Sequence, residues 1–375
     1  MTAPVIFWIS AALVVYVFLG YPVVLCGLQI FRRRVRKENI TPTVSLLVPV
    51  YNEAAVIAAK LRNALALDYP SDRLEIVIAS DGSTDETEEV VRSIVREQEP
   101  GRIRLLTWPR NQGKVAVLNL AVPELRGDMV VFSDASCLLA EDALGRLMAN
   151  FADEHVGAAS GVYQVLRKDE AKLGHQEDFY WRYETFLKKQ EANIGALVGA
   201  HGSLYALRRS LYPFPPPGTV NDDFVIPTSV LRRGFHIAYE PQAIAYEEAE
   251  QMEGFQRRVR ITAGNIDQLR QIKDLLWPPQ PLVFFCFLSH KAGRLAVPAG
   301  LIGMFATSIL LRHTPFYAWA LGLQILFYGL ALLGGVIPLR PRFLRLPFYF
   351  CMINASLLGW LFYRALGRGR GTAWR

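Results

Sequence analysis

Leu74-Glu75-Ile76-Val77-Ile78-Ala79-Ser80-Asp81-Gly82-Ser83-Thr84-Asp85 is an apolar run that stops at an aspartate and turns into a helix start. Met129-Val130-Val131-Phe132-Ser133-Asp134 stops in the same way. Short apolar runs bounded by turn residues read as buried strands. A buried parallel strand delivers the residue after it to the carboxyl edge of its sheet, where α/β proteins bind ligands. Two carboxylates at one such edge point to a site for a nucleotide and a cation. Ser83-Thr84-Asp85-Glu86 caps the helix that follows, which runs to about Glu97 with acidic residues in its first turn.

Working outward, Val44–Val48 is a β-rich run closed by Pro49, and Glu53–Leu67 has helical apolar spacing. Ile103–Thr107 reads as a third strand, Gly113–Ala121 as a short helix and Asp128–Ser133 as a fourth strand. Strand and helix alternate, which predicts a parallel sheet with helices on both faces. Further on the pattern loosens into long helical segments, Gln176–Glu191 and Phe224–Arg233, with short strands between them.

The 375 residues leave room for about two domains. Apolar residues make up 51% of the chain and crowd both ends. The middle, from about Arg32 to Trp277, holds most of the acidic residues and is large enough for its own core. Val5–Ile30 carries no charge, is long enough to span a bilayer, and is followed by Arg32-Arg33-Arg34-Val35-Arg36-Lys37. A signal peptide has the opposite order of charge and apolar core, so this reads as a retained anchor with its basic flank in the cytoplasm. Leu295–Leu311, Pro315–Ile337 and Leu346–Tyr363 are further candidate spans. The basic loop Arg340–Arg345 fits the cytoplasmic side, whereas four spans would leave Arg364, Arg368, Arg370 and Arg375 outside. The expected number of spans is therefore three to five. Pro281–Arg294 is short and ends in basic residues, which fits a helix in the membrane interface, with the first half of a longer span as the alternative. The expected units are an anchor (1–31), a cytoplasmic domain (40–272), an interfacial helix (278–294) and C-terminal membrane helices with a basic tail (295–375). The net charge of +7 lies largely in juxtamembrane Arg and Lys, which suits anionic lipid and gives no case for nucleic acid. The four cysteines show neither zinc spacing nor a disulfide framework.

No glycine-rich phosphate loop follows the first strand, so a bound nucleotide would need metal and basic side chains for its phosphates. Each acidic motif taken alone has an ordinary explanation. Asp81-Gly82-Ser83 is also a turn and cap, Asn221-Asp222-Asp223 a capped helix start, and Gln256-Arg257-Arg258-Val259-Arg260 a solvated basic face. Their order in one domain is harder to explain away: an edge Asp, Lys114, a second edge Asp, an acidic pair, then an Arg cluster.

That order resembles the family 2 glycosyltransferases of the GT-A fold, in particular membrane-bound members related to cellulose synthase, hyaluronan synthase and poly-N-acetylglucosamine synthase. The resemblance covers about Thr43 to Asn265 and the flanking membrane segments. It is carried by Val48-Pro49-Val50-Tyr51-Asn52-Glu53, Ser80–Asp85, Arg110-Asn111-Gln112-Gly113-Lys114, Phe132–Ser136, Gly199-Ala200-His201-Gly202-Ser203, Asn221–Phe224 and Arg257–Arg260. It implies an α/β nucleotide-diphospho-sugar transferase domain, a mostly parallel sheet flanked by helices, with transmembrane helices at both ends. It further implies an inverting enzyme that moves a sugar from a nucleotide-sugar, usually a UDP-sugar, to a glycan or lipid-linked acceptor. Pro49, Tyr51, Glu53 and Asp81 would line the base and ribose, with Lys114 beside them. Asp134 would open the Asp-x-Asp motif that holds Mg2+ or Mn2+ at the diphosphate. Asp223, next to Asp222, would be the general base, and Arg257 and Arg260 would surround the diphosphate. His201, Gly202 and Arg258 fall in the acceptor and diphosphate region.

The chain departs from the family pattern at two positions. The second Asp of Asp-x-Asp is Ser136, a poorer ligand, so either metal affinity is lower or a second acidic ligand comes from elsewhere in the chain. The Gln-x-x-Arg-Trp signature of processive synthases has Ile261 where the Trp would stand, and isoleucine offers no flat face for a sugar. Transfer of one or a few sugars is thus at least as well supported as long-chain polymerisation with product translocation. A transporter fits less well because the candidate spans lack buried charge. A nucleotide-sugar-binding regulator without catalysis is a weaker alternative that rests on Ser136.

Overall fold

The computed structural model describes residues 2–166, 174–248, 259, 262–264, 266, 280–337 and 342–365. Its centre is an eight-stranded sheet in the order β3-β2-β1-β4-β7-β6-β8-β5. The strands are β1 (Val44–Val50), β2 (Leu74–Ser80), β3 (Ile103–Thr107), β4 (Met129–Phe132), β5 (Leu138–Leu139), β6 (Val156–Leu166), β7 (Tyr205–Arg208) and β8 (His236–Glu248). β3, β2, β1 and β4 are parallel, as the alternating pattern predicts. Every residue of β1 and β2 is buried, which is why both runs are mostly apolar rather than alternating, with Ser45 and Glu75 buried against each other.

Beyond β4 the sheet becomes mixed. β7 is antiparallel to β4 and to β6, β8 is parallel to β6, and β5 is antiparallel to β8. This half is what the looser part of the sequence encodes. Because β7 runs against β4, the residues before β7 lie at the edge where Asp134 leaves β4. Two cores flank the sheet. Leu46, Val48, Ile76, Ile78 and Val131 face the helices Ala54–Leu65 and Ala143–Met148. Leu47, Val77, Ala79, Val130 and Phe132 face the other way, onto Val117 and Leu118 of the helix Lys114–Ala121. Burying each such side chain contributes roughly 1.5–3 kcal/mol.

Among the described residues, three helices are long and apolar enough to cross a membrane: Thr2–Phe31, Pro281–Leu310 and Pro315–Val336; Leu346–Phe362 is shorter. Leu19, Val23, Trp319, Leu332 and Val336 are exposed on them, a surface that suits lipid. Thr2–Val15 packs closely on Gly293–Leu310, where a Cβ at Gly303 would lie 2.7 Å from Ser10 Oγ. Small residues of this kind let apolar helices approach closely.

Pro281–Arg294 does not form a separate helix. It is the first part of one helix that continues to Leu310, widened by a π-helical turn at Phe287–Ala292. The physical reason lies in its basic end. His290 sits 2.7 Å from Glu191 and 3.1 Å from Glu184, and Arg294 lies 2.6 Å from Glu184. Both glutamates belong to the helix Gly174–Asn193, so these charges meet protein carboxylates rather than lipid headgroups. The N-terminal helix Thr2–Phe31 joins the same interface: Tyr21 OH donates to Glu191 at 2.6 Å, and Tyr21 and Leu25 are fully buried. The loop at 338–341 and the tail at 366–375 lie outside the described residues.

Candidate active site

β1 and β2 end in register, Val50 beside Ser80, so Tyr51–Glu53 and Asp81–Asp85 leave the sheet side by side. Asn52, at φ +55°, accepts from the Thr84 backbone N–H at 2.8 Å, and Thr87 Oγ1 accepts from the Glu53 N–H at 2.8 Å. These bonds lock the two turns into one wall. Pro49 is buried in β1 behind it. Glu53 is held above the usual carboxylate range, first by burial and then by Asp134 and Asp85.

Asp81 is 1% exposed. Its carboxylate accepts the backbone N–H groups of Gln112 at 2.7 Å and Gly113 at 2.8 Å. Burial raises its pKa, and the two N–H groups oppose that rise. In this structure Asp81 therefore fixes the loop that carries Lys114. Gly82 permits the crossing: at φ +69°, a Cβ there would lie 2.6 Å from the Arg110 carbonyl carbon.

Lys114 opens its helix and points its ammonium between two carboxylates, 2.7 Å from Asp134 and 3.2 Å from Asp222. Burial works against its charge, but Asp134 and then Asp222 outweigh burial and hold the ammonium above its usual range. The Asp134–Ser136 turn is clamped from below. Fully buried Lys60 donates to Ser133 Oγ and to the Cys137 carbonyl, each at 2.6 Å. Ser133 Oγ in turn donates to the Ser203 carbonyl at 2.8 Å, which ties this turn to the His201–Ser203 turn. Ser136 Oγ donates to Glu247 at 3.4 Å.

The acidic pair opens the helix Asp222–Thr228. Asp222 is buried and accepts a long bond from Tyr205 OH at 3.4 Å. Asp223 packs on Gly202, where an added Cβ would be 3.5 Å from its Oδ2. Burial, reinforced by Asp222, pushes the Asp223 carboxyl up to about 6, against the pull of Lys188, Lys114 and Lys291. Lys188 reaches the same turn from the helix Gly174–Asn193 and donates to the Ala200 carbonyl at 3.2 Å. Its own buried ammonium is pushed down to about 8.

His201 is buried, with Nε2 3.3 Å from Tyr239 OH. Burial and nearby Lys188 hold it well below the usual histidine range, so the ring is neutral and serves to shape the turn. Arg257, Arg258 and Arg260 lie outside the described residues. Thr262 and Gly264 are described. A Cβ at Gly264 would lie 2.4 Å from Asn221 Oδ1, and Thr262 Oγ1 is 2.7 Å from Ser356 Oγ of the helix Leu346–Ala365.

Pro49, Tyr51, Glu53, Asp81, Lys114, Asp134, Ser136, Asp222, Asp223, His201 and Gly202 thus belong to one contiguous edge. Sequence reasoning missed Glu247, Lys188 and Lys60. Glu247 carried a readable signal, since it stands in the last two residues of a strand as Asp81 and Asp134 follow theirs. The two lysines carried none, because each sits in an ordinary amphipathic helix.

Comparison with known proteins agrees with this geometry. Residues 45–212 match the family described as Glycosyl transferase family 2. The chain is 27% identical over 281 residues to "Probable glycosyltransferase YdaM" of Bacillus subtilis, covering 69% of this chain and 66% of that protein. It is 26% identical over 232 residues to poly-beta-1,6-N-acetyl-D-glucosamine synthase of Staphylococcus aureus, covering 60% of this chain and 55% of that protein. The match thus spans between about half and two thirds of these relatives' lengths. The structure superposes on mannosyltransferase PcManGT from Pyrobaculum calidifontis with a TM-score of 0.70 and 23% identity, over 94% of this chain and 99% of that one. The mixed sheet is that of the GT-A fold, and within it residues 45–212 are similar to glycosyl transferase family 2.

Proposed function

We propose that the chain transfers a sugar from a nucleotide-sugar, in the first instance a UDP-sugar, to a glycan or lipid-linked acceptor at the cytoplasmic face of a membrane. The reaction is a single in-line displacement that inverts the anomeric centre. The observation that carries this reading is the Lys114 ammonium bridging Asp134 and Asp222, with Asp223 next in the chain. It sets Asp134 and the acidic pair Asp222-Asp223 on either side of one partly buried positive charge.

In the reaction Asp223 accepts the proton of the acceptor hydroxyl while that oxygen bonds to the anomeric carbon. The bond from that carbon to the diphosphate oxygen breaks, and the nucleoside diphosphate leaves with the electron pair. Its raised pKa lets Asp223 hold the proton it gains while leaving it ionised at neutral pH. Lys114 supplies fixed positive charge between the two halves of the site. Asp134 and the Ser136 hydroxyl are hard oxygen donors of the kind Mg2+ and Mn2+ prefer, and the ammonium against Asp134 marks a place that calls for positive charge. Such a cation, when bound, would stabilise charge on the leaving diphosphate. The mannosyltransferase of the same fold was captured with GDP-Man and Mn2+, a donor and a cation of the proposed class.

A donor panel of UDP- and GDP-sugars on membranes containing the protein tests the reading. Nucleoside diphosphate release from one donor, dependent on Mn2+ or Mg2+ and abolished by EDTA, is expected. Release from none of the donors under either metal contradicts it.

A further inference from the structure

The sheet brings another carboxylate to the cation edge. β8 runs parallel to β6, β6 against β7, and β7 against β4, so β8 ends where Asp134 leaves β4. At that edge β5 pairs with β8, Leu138 opposite Tyr246, which sets Glu247 beside the Asp134–Cys137 turn. Glu247 is buried at 8% exposure, and the Ser136 hydroxyl donates to it at 3.4 Å. Ser136 is the position where the resembled motif carries its second carboxylate. Here the hydroxyl is short and the carboxylate stands directly behind it.

We propose that Glu247 is a ligand of the divalent cation, acting with Asp134 in place of the carboxylate that position 136 lacks. The proposal rests on the donor-site reading above. Glutamate reaches one methylene further than aspartate, so a ligand from the neighbouring strand can stand in for one on the motif itself. Ser136 then orients the Glu247 carboxylate, as outer partners commonly orient metal ligands.

The test is Mn2+ binding to the full-length protein in detergent, read by the electron paramagnetic resonance signal of free Mn2+, in separate titrations with UDP and with GDP. Glu247→Gln is expected to weaken Mn2+ binding by about tenfold or more, the scale on which metal-site partners act. Adding Ser136→Asp to that variant is expected to restore binding. Glu247→Asp, which keeps the charge but shortens the reach, guards against a Gln variant that fails to fold and is expected to weaken binding as well. Native Mn2+ affinity in folded Glu247→Gln or Glu247→Asp protein overturns the proposal, as does failure of Ser136→Asp to restore a folded Glu247→Gln chain. The readout is independent of turnover. Loss of Mn2+ in the variants, with no donor turned over by the native chain, would keep the ligand and reject the transferase reading.

Discussion

Asp223→Asn is expected to lower turnover by about 10²–10⁴-fold, the usual contribution of a positioned general base, while donor binding stays intact. The wild-type rate should rise with pH through about 6 and level off above it, because the base must be ionised to accept the proton. The same substitution has a signed effect on stability. The folded pKa of Asp223 lies above its ordinary value of 3.8, so the unfolded chain ionises first. Below both values the group has no effect; as pH rises through them, the folded state bears a growing cost that reaches about 3 kcal/mol as an upper bound. Asp223→Asn should therefore raise the Tm at pH 8 and leave it unchanged near pH 3. Loss of turnover together with a lower Tm at pH 8 would mean that the substitution damages the fold instead.

Lys114→Met is expected to be the most damaging change outside the base. It leaves buried Asp222 without its cation, and removing one partner of a buried pair costs roughly 3–5 kcal/mol. The lower end applies here, since Asp134, the other partner, is 37% exposed and water screens it in part. Thermal melting of the purified protein reads this loss. A second consequence concerns the base: Lys114 is one of the cations that hold Asp223 down, so the residual activity should need a higher pH than the wild type. A variant with native Tm and an unmoved pH profile would show that the bridge to Asp134 and Asp222 does not form in solution.

The donor half of the fold was legible in the sequence for a physical reason. β1, β2 and β4 are buried on both faces, so their runs are mostly apolar without alternation, and each is followed by a turn of polar residues. The mixed half was not legible. β5 has two residues and β7 has four, too few to show a period, and their pairing is decided across the sheet rather than locally. The same limit applies within the site. Asp81 could be read as an edge carboxylate, but its hold on the Gln112 and Gly113 amides depends on a loop thirty residues away. Glu247 lies in β8 and Asp134 follows β4, far apart in the chain, and the strand order shows that they emerge at the same edge. Pro281–Arg294 follows its alternative, the first half of a longer helix, for a related reason: its basic residues find buried glutamates that local sequence could not pair with them.

The claim on which the rest depends is a single displacement driven by Asp223. Proton NMR of the sugar product as it forms, from whichever α-linked nucleotide-sugar the donor panel identifies, tests it most directly. A single displacement predicts that the β-anomer appears first, both on the acceptor and in any sugar released to water. First appearance of the α-anomer would contradict it and would require a second, nucleophilic carboxylate in the site.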